Sequence, residues 1–448
     1  MKRCLVLIAM PWSCKHDDFA PLGHASLISS LKLEGKLIVE EIIQPVGDGE
    51  FLVENLSNQV MTLANGIPNE KIDVGVGVYV WNDKQAKEFL RSLRANGFHG
   101  RIILGGPQIT YAGEGLERIY PEADIFIRGY AEKALCVLTR SNRCPQIRGV
   151  HYAGEEDLCL QADTNLQDLP SPWLNKSIQL NKNSSVRWET QRGCPFRCSF
   201  CQHRQPDARI PIAVIETSRI NSEIALFCES KVRRISVLDP VFNMNPNYAL
   251  QILEQFSLHN FQGEIALQCR AEMIDEKFLN AAKKLNVTLE FGLQSIHKRE
   301  YLAAGRPNNM KKVEQVLRDV QFHKIKNEVS LIYGLPEQTL ESFKSSVDWC
   351  LRMGVPVIKA YPLLLLRGTE LERQQEKWSY VVKEEDFPMV VGSSTFNLSD
   401  FEDMEKIANG LSKTEYNHPE SLQKLMYSNV DVSDCSNASR LRALGKGL

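Results

Sequence analysis

A chain of 448 residues exceeds one ordinary hydrophobic core, so two or three domains are expected. Its 43% hydrophobic and 24% charged residues describe a globular protein, and no apolar run approaches the roughly 20 residues of a membrane span. A formal net charge of −2 gives no electrostatic case for nucleic acid as the main partner.

The start, Met1-Lys2-Arg3 followed by an apolar run from Cys4 to Met10, imitates a signal peptide. The run is short and stops at Pro11-Trp12 without a small-residue cleavage site, so it reads as a buried first strand. A cytoplasmic protein is expected. Residues 1–145 alternate strands at 4–9, 37–43, 72–80, 101–105 and 124–128 with helices at 21–34, 51–64, 84–95, 113–120 and 131–140. Strands separated by single helices require right-handed crossovers, which predicts a doubly wound parallel sheet. Ligands bind such sheets at the carboxyl ends of the strands. The loops there include Gly105-Gly106-Pro107-Gln108 and Gly129-Tyr130-Ala131-Glu132. Gly105 and Gly106 would let the backbone approach a ligand closely, or simply make a tight strand-to-helix turn.

Residues 146–185 change character, and the prolines of Asp168-Leu169-Pro170-Ser171-Pro172-Trp173 mark a linker. Alternation restarts with strands at 186–190, 235–239, 264–270, 287–293, 329–333 and 357–366. Helices are predicted at 216–229, 276–285, 297–304, 311–323 and 340–353. The first of them carries Ile220, Ile224, Phe227 and Cys228 on one buried stripe. Six βα-like units over 186–370 make an incomplete barrel, whose function would sit on loops at the strand C-termini. Residues 371–448, with a helix at 401–411, read as a small cap or tail. The fold class is therefore α/β, a doubly wound sheet followed by a partial TIM-type (β/α)6 barrel.

Of 12 cysteines, nine are scattered singly and imply no disulfide framework, which fits a reducing compartment. The other three fall together in Arg192-Gly193-Cys194-Pro195-Phe196-Arg197-Cys198-Ser199-Phe200-Cys201, spaced C-x3-C-x2-C. Structural zinc sites favour paired C-x2-C knuckles and four ligands, and no second knuckle follows. Three thiolates leave one iron of a [4Fe–4S] cluster without a protein ligand.

This segment resembles the signature of the radical S-adenosylmethionine (SAM) enzymes. The resemblance implies that Cys194, Cys198 and Cys201 hold the cluster, that SAM takes the open iron, and that Phe200 packs beside adenine. It also implies a 5′-deoxyadenosyl radical as the reactive species and a flavodoxin- or ferredoxin-type electron donor. Four strand ends resemble SAM-contacting segments: Leu238-Asp239-Pro240, Arg270, Glu290 with Gln294-Ser295, and Tyr333-Gly334-Leu335-Pro336. Asp239 would meet the SAM ammonium and Arg270 its carboxylate. Glu290, Gln294 and Ser295 would meet ribose hydroxyls or the carboxylate, and Gly334 would pass close to adenine. For each charged residue the alternative is an ion pair on the barrel rim.

Pro21-Leu22-Gly23, Ile103-Leu104-Gly105-Gly106-Pro107 and Arg128-Gly129-Tyr130-Ala131-Glu132 resemble the N-terminal domain of cobalamin-binding radical SAM proteins. The D-x-H-x-x-G motif that gives histidine to cobalt elsewhere is absent, and neither His16 nor His24 has that context. The resemblance implies a cobalamin-dependent methyltransferase acting on an unactivated carbon of a small molecule or peptide. The alternative it leaves open is a radical SAM enzyme that closes rings, rearranges skeletons or forms bonds, with or without cobalamin.

Overall fold

A computed structural model describes residues 3–13, 20–33, 37–47, 51–141, 144–203, 212–385 and 387–427. His16, two of the scattered cysteines, Cys14 and Cys435, and the end of the expected tail lie outside the described residues. The chain divides into two compact units, Met1–Gln179 and Leu180–Leu448.

The first unit is built on six strands: Cys4–Ala9 (β1), Ile38–Ile43 (β2), Ile72–Gly77 (β3), Arg101–Gly105 (β4), Ile125–Ile127 (β5) and Val150–Tyr152 (β6). Their order is β2-β1-β3-β4-β5-β6, parallel except for the antiparallel β5–β6 pair. Every residue of β1 is buried, as a strand covered on both faces requires. The chain reverses direction across the sheet between β1 and β3, which opens a crevice at their carboxyl ends. Helices Leu22–Leu33 (α1), Asp83–Ala95 (α3) and Ala131–Arg140 (α4) follow β1, β3 and β5, while Val53–Ala64 (α2) precedes β3. β6 falls in the stretch read as linker. Its three residues are too few to show alternation, and it joins the sheet because β5 would otherwise be an open edge.

The second unit carries six parallel strands in sequential order: Ser185–Trp188 (β7), Arg234–Val237 (β8), Glu264–Cys269 (β9), Asn286–Gln294 (β10), Lys326–Tyr333 (β11) and Ile358–Pro362 (β12). Sequential parallel order with right-handed crossovers puts all helices on one side and curls the sheet into a partial barrel. Strand β10 shows the consequence, with Val287, Leu289, Phe291 and Leu293 buried on one face and half-buried residues between them. The predicted elements include no helix between β8 and β9. Helix Pro246–Leu258 (α5) bridges them, started by the Asn245 side chain accepting from Tyr248 N–H and by Pro246 in the first turn.

The expected cap is integral to the barrel. Helix Leu398–Lys413 (α6) buries Phe401, Met404, Ile407 and Leu411, and the Phe401 ring lies 5.5 Å from that of Tyr333. The segment after β12 then crosses the open side of the barrel. Leu371 N–H donates to Ser199 C=O at 3.0 Å and Gln202 Nε2 donates to Arg367 C=O at 2.9 Å. The partial barrel is thus bridged from its last strand back to the cysteine loop.

Candidate active site

The cysteine loop leaves the C-terminal end of β7, the edge on which barrel chemistry is built. Its entry is held by Asp239, fully buried just beyond β8. The Asp239 carboxylate accepts from Thr190 N–H at 2.8 Å, Thr190 Oγ1–H at 2.5 Å and Gln191 N–H at 3.2 Å. Burial pushes this carboxyl up to about 7 against the pull of those donors. Gln191 Nε2 donates to Val241 C=O at 2.7 Å, and Tyr248 Oη donates to the Thr190 and Ile215 carbonyls. The loop therefore starts from a fixed point four residues before Cys194.

Within the loop, Cys201 N–H closes a turn on Cys198 C=O at 3.2 Å, with Phe200 half-buried inside it. Cys198 is buried, while Cys194 and Cys201 are partly exposed. Burial pushes the Cys201 thiol up to about 12 and raises that of Cys194, with the neighbouring cysteines adding to the effect. The positive charge of Arg306 opposes the rise at both, joined at Cys194 by Arg270. The thiols thus lie within electrostatic reach of one another beside two cations. Coordinated metal deprotonates a thiol outright, so iron would supply what burial withholds. Among the described residues no three His, Cys, Asp or Glu side chains converge on a single-ion site. A [4Fe–4S] cluster places its three protein thiolates on separate irons and needs no such convergence.

Arg270 comes to the loop from β9. Its guanidinium carbon lies 4.1 Å from the Phe196 ring centre, a buried cation–π contact. Nη2 donates to Pro307 C=O at 2.9 Å and approaches Glu272 Oε1 at 3.3 Å, leaving Nη1 buried without a hydrogen-bond partner. Asn243 fixes the Arg270 backbone by a reciprocal pair, accepting from its N–H at 3.0 Å and donating to its C=O at 2.9 Å. Gln294 ends β10 at a register shift with φ of +69°, and its Oε1 is likewise buried and unpartnered. Ser199 Oγ is a third such atom. Orphaned donors and acceptors around the thiols suit a polar ligand that supplies their partners, so the residues fit a cluster with SAM.

Other expected contacts are spent internally. Ser295 is fully buried, and its Oγ donates at 2.6 Å to Glu300 Oε2, which also accepts from Gln338 Nε2. The Asp239 oxygens meet the N–H and hydroxyl of Thr190 and the N–H of Gln191, so in this structure the residue acts as a strut for the loop entry. Gly334 has φ of +96°, its N–H donates to Gln338 Oε1 at 2.7 Å, and a Cβ there would meet Leu363 at 3.3 Å. Its glycine is explained by the turn and by Leu363. Glu290 sits one layer down the barrel interior, in register with Gln268 and Glu328. The sequence reading missed Phe196, Asn243, Gly305 and Arg306. Only Gly305-Arg306-Pro307 carried a signal, a helix stop, and that says nothing of where the turn docks.

In the first unit, the carboxyl edge of the sheet holds the Tyr79 and Trp81 rings stacked at 4.4 Å. Tyr79 lies between two glycines: a Cβ on Gly23 would approach its Oη at 3.6 Å and one on Gly77 its ring at 3.3 Å. The two loop glycines differ. Gly106 has φ of +95° and a Cβ there would lie 2.6 Å from Val78 O, whereas at Gly105 the nearest atom is Ile127 O at 3.7 Å. Gly106 is required by the fold, and Gly105 leaves room for a ligand. Arg128 is buried and spent on the carbonyls of Ile109, Ala112 and Gly113 and on Asp157, so it braces the turn after Gly106. His24 Nε2 lies 2.8 Å from Glu41 Oε2, which keeps the imidazole within the protein. The open Gly105 beside a flat aromatic pair fits a large planar cofactor.

A partial barrel with three thiols on the loop after its first strand is the arrangement implied by the resemblance to radical SAM enzymes. The model of the radical SAM superfamily matches residues 188–350 of this chain. The chain is 24% identical over 355 residues to the cobalamin-dependent radical SAM methyltransferase TokK of Streptomyces tokunonensis, covering 72% of this chain and 51% of that protein. It is 23% identical over 299 residues to the uncharacterized methyltransferase PH0819 of Pyrococcus horikoshii, covering 63% of each. The chain thus spans about half to two thirds of the length of these relatives. Among solved structures, the radical SAM methyltransferase TsrM from Kitasatospora setae, with cobalamin and a [4Fe–4S] cluster, superposes with a TM-score of 0.67 at 17% identity. That match covers 90% of this chain and 82% of that one. The cobalamin-dependent SAM radical enzyme OxsB superposes with a TM-score of 0.69 at 15% identity, covering 99% of this chain and 72% of that one. These likenesses extend the fold agreement beyond the barrel to the N-terminal sheet.

Proposed function

We propose that this protein is a cobalamin-dependent radical SAM methyltransferase acting on an unactivated carbon of a small molecule or peptide. The observation that carries the reading is the set of three cysteine thiols at the end of β7, ringed by Arg270, Arg306 and unpartnered polar atoms. The similarity to TokK, PH0819 and TsrM, all methyltransferases by name, supports methyl transfer as the outcome.

Cys194, Cys198 and Cys201 would hold the cluster, and Gly105 with the Tyr79–Trp81 edge would receive cobalamin. When bound, the cluster with SAM supplies a 5′-deoxyadenosyl radical and cobalamin supplies the methyl group. The chain's own residues bind and position. Asp239 and Tyr248 fix the loop entry, Phe196 and Arg270 stack to hold its middle, and the bridge from 367–371 covers its far side. Arg270 Nη1 is a donor suited to the SAM carboxylate, as a charge-assisted bond. Gln294 Oε1 is an acceptor suited to the SAM ammonium or a ribose hydroxyl. Phe200 is the aromatic candidate beside adenine. The electron would come from a flavodoxin- or ferredoxin-type protein, and the cytoplasm would keep the thiols reduced. Among the described residues no helix is long and apolar enough to cross a membrane.

The test is anaerobic purification with iron and sulfide, followed by spectra with and without added cobalamin and an assay of SAM cleavage. A [4Fe–4S] spectrum, retained cobalamin and release of 5′-deoxyadenosine are expected. Protein that takes up a cluster but no cobalamin overturns the methyltransferase reading.

A further inference from the structure

A turn that no expected function uses reaches the cysteine loop from the barrel's fourth strand. After the helix Lys298–Ala303, Ala304 C=O accepts from Ser199 N–H at 2.9 Å. Gly305 follows with φ of +63°, and a Cβ there would lie 2.6 Å from Arg197 O. Glycine is what permits the turn to press against the loop backbone. The next side chain is thereby delivered to a cysteine. Arg306 Nε donates to Gly292 C=O at 3.0 Å, Nη2 donates to the same oxygen, and Nη1 points at Cys198 Sγ at 3.6 Å. With two of its three nitrogens held by the backbone of β10, the third is aimed and cannot swing away. Asn308 Nδ2, two residues on, donates to Leu293 C=O at 2.9 Å and holds the turn against β10.

We infer that Arg306 is a positioning residue that sets the reduction potential of the cluster by donating Nη1–H to the Cys198 thiolate. The inference rests on the cluster reading of the loop. In the step concerned, the cluster core goes from 2+ to 1+ by taking one electron from a low-potential reductant; no bond forms or breaks and no proton moves. The added negative charge spreads over the thiolate sulfurs. A directed N–H and a fixed positive charge stabilise the reduced state more than the oxidised one and so raise the potential. The same charge is felt at Cys194 and Cys201, so the effect is not confined to one sulfur. Lysine could supply the charge, but not a planar fork that grips Gly292 and points at sulfur together.

The experiment uses the full chain, reconstituted anaerobically and titrated with titanium(III) citrate while the reduced cluster is followed by electron paramagnetic resonance. In Arg306→Gln the ratio of reduced to oxidised cluster at a fixed potential should fall about tenfold, or 59 mV for a one-electron couple. Iron and sulfide content should match the wild type, and Arg306→Lys should fall between the two. An unchanged potential in a fully loaded Arg306→Gln protein overturns the inference. Should that variant fail to assemble, the wild type answers instead: in electron–nuclear double resonance its reduced cluster should show a strongly coupled proton in H2O that is lost in D2O, and absence of such an exchangeable proton overturns the inference. Wild-type protein that assembles no [4Fe–4S] cluster overturns the cluster reading itself, a separate outcome.

Discussion

Asp239 grips Thr190 with both carboxylate oxygens, at 2.8 Å to its N–H and 2.5 Å to its hydroxyl, so the second barrel strand sets where the cysteine loop begins. Replacing Asp239 by Ala leaves the Thr190 and Gln191 N–H groups buried without an acceptor. Each such loss costs about 1–3 kcal/mol. Urea denaturation of the iron-free protein should show a cost of that order, and iron retention after reconstitution should fall. Wild-type stability and iron retention in Asp239→Ala would remove the strut from the account.

The same carboxylate gives a pH dependence with a definite sign. Its folded pKa, about 7, lies above the ordinary 3.8, so between those values the folded state binds more protons than the unfolded state. Its contribution is fully present below about pH 4 and is lost as pH rises through about 7. The advantage of wild type over Asp239→Asn, which cannot titrate, should therefore be larger near pH 5 than near pH 8. Denaturation midpoints of the two proteins across that range check it; an advantage that grows with pH reverses the sign and defeats the claim.

The three cysteines admit a direct test. Cys194→Ala, Cys198→Ala and Cys201→Ala should each abolish release of 5′-deoxyadenosine, because the cluster would lose one of only three protein ligands. A variant with a normal cluster spectrum and wild-type SAM cleavage would falsify the ligand assignment for that residue.

How much of this was legible beforehand follows from the range over which each signal acts. The strand–helix alternation is local, and Cys4–Ala9, Arg101–Gly105 and Ala131–Arg140 lie where periodicity placed them. The cysteine spacing is local too. Asp239 and Ser295 were found as polar residues at strand ends, but spacing cannot say whether such a side chain faces a ligand or its own backbone. In this structure Asp239 meets Thr190 and Gln191, and Ser295 meets Glu300. Arg306 was passed over because its meaning lies in a pairing 108 residues away in sequence, with Cys198. Val150–Tyr152 was lost for a different reason, since a three-residue edge strand has no pattern to read.

The two glycines after β4 should separate cofactor binding from folding. Gly105→Val puts its Cβ at ordinary contact distance from Ile127 O, 3.7 Å, and should weaken cobalamin uptake while the thermal midpoint of the protein stays near wild type. Gly106→Val forces φ of +95° on a branched residue and drives Cβ into the Val78 backbone, so it should lower stability first. Equal loss of stability in both variants, with no separate effect on cobalamin at Gly105, would place the binding edge elsewhere.

The products decide between methyl transfer and other radical outcomes. Methylation through cobalamin consumes two SAM molecules per product: one gives up its methyl and leaves S-adenosylhomocysteine, the other is cleaved to 5′-deoxyadenosine. The two should appear in equal amounts once the substrate is supplied. A cyclase or rearrangement enzyme has no methyl to deliver and would release 5′-deoxyadenosine alone. The protein's side of the cobalt makes a second, independent demand. His24 is turned onto Glu41, 2.8 Å away, and so is not presented as a ligand. Bound cobalamin should therefore show a base-off spectrum without imidazole nitrogen coupling, and His24→Ala should leave that spectrum unchanged. Nitrogen coupling that disappears in His24→Ala would mean that the histidine leaves Glu41 for cobalt. Turnover that yields 5′-deoxyadenosine without matching S-adenosylhomocysteine would instead move the assignment from methyl transfer to ring closure or rearrangement.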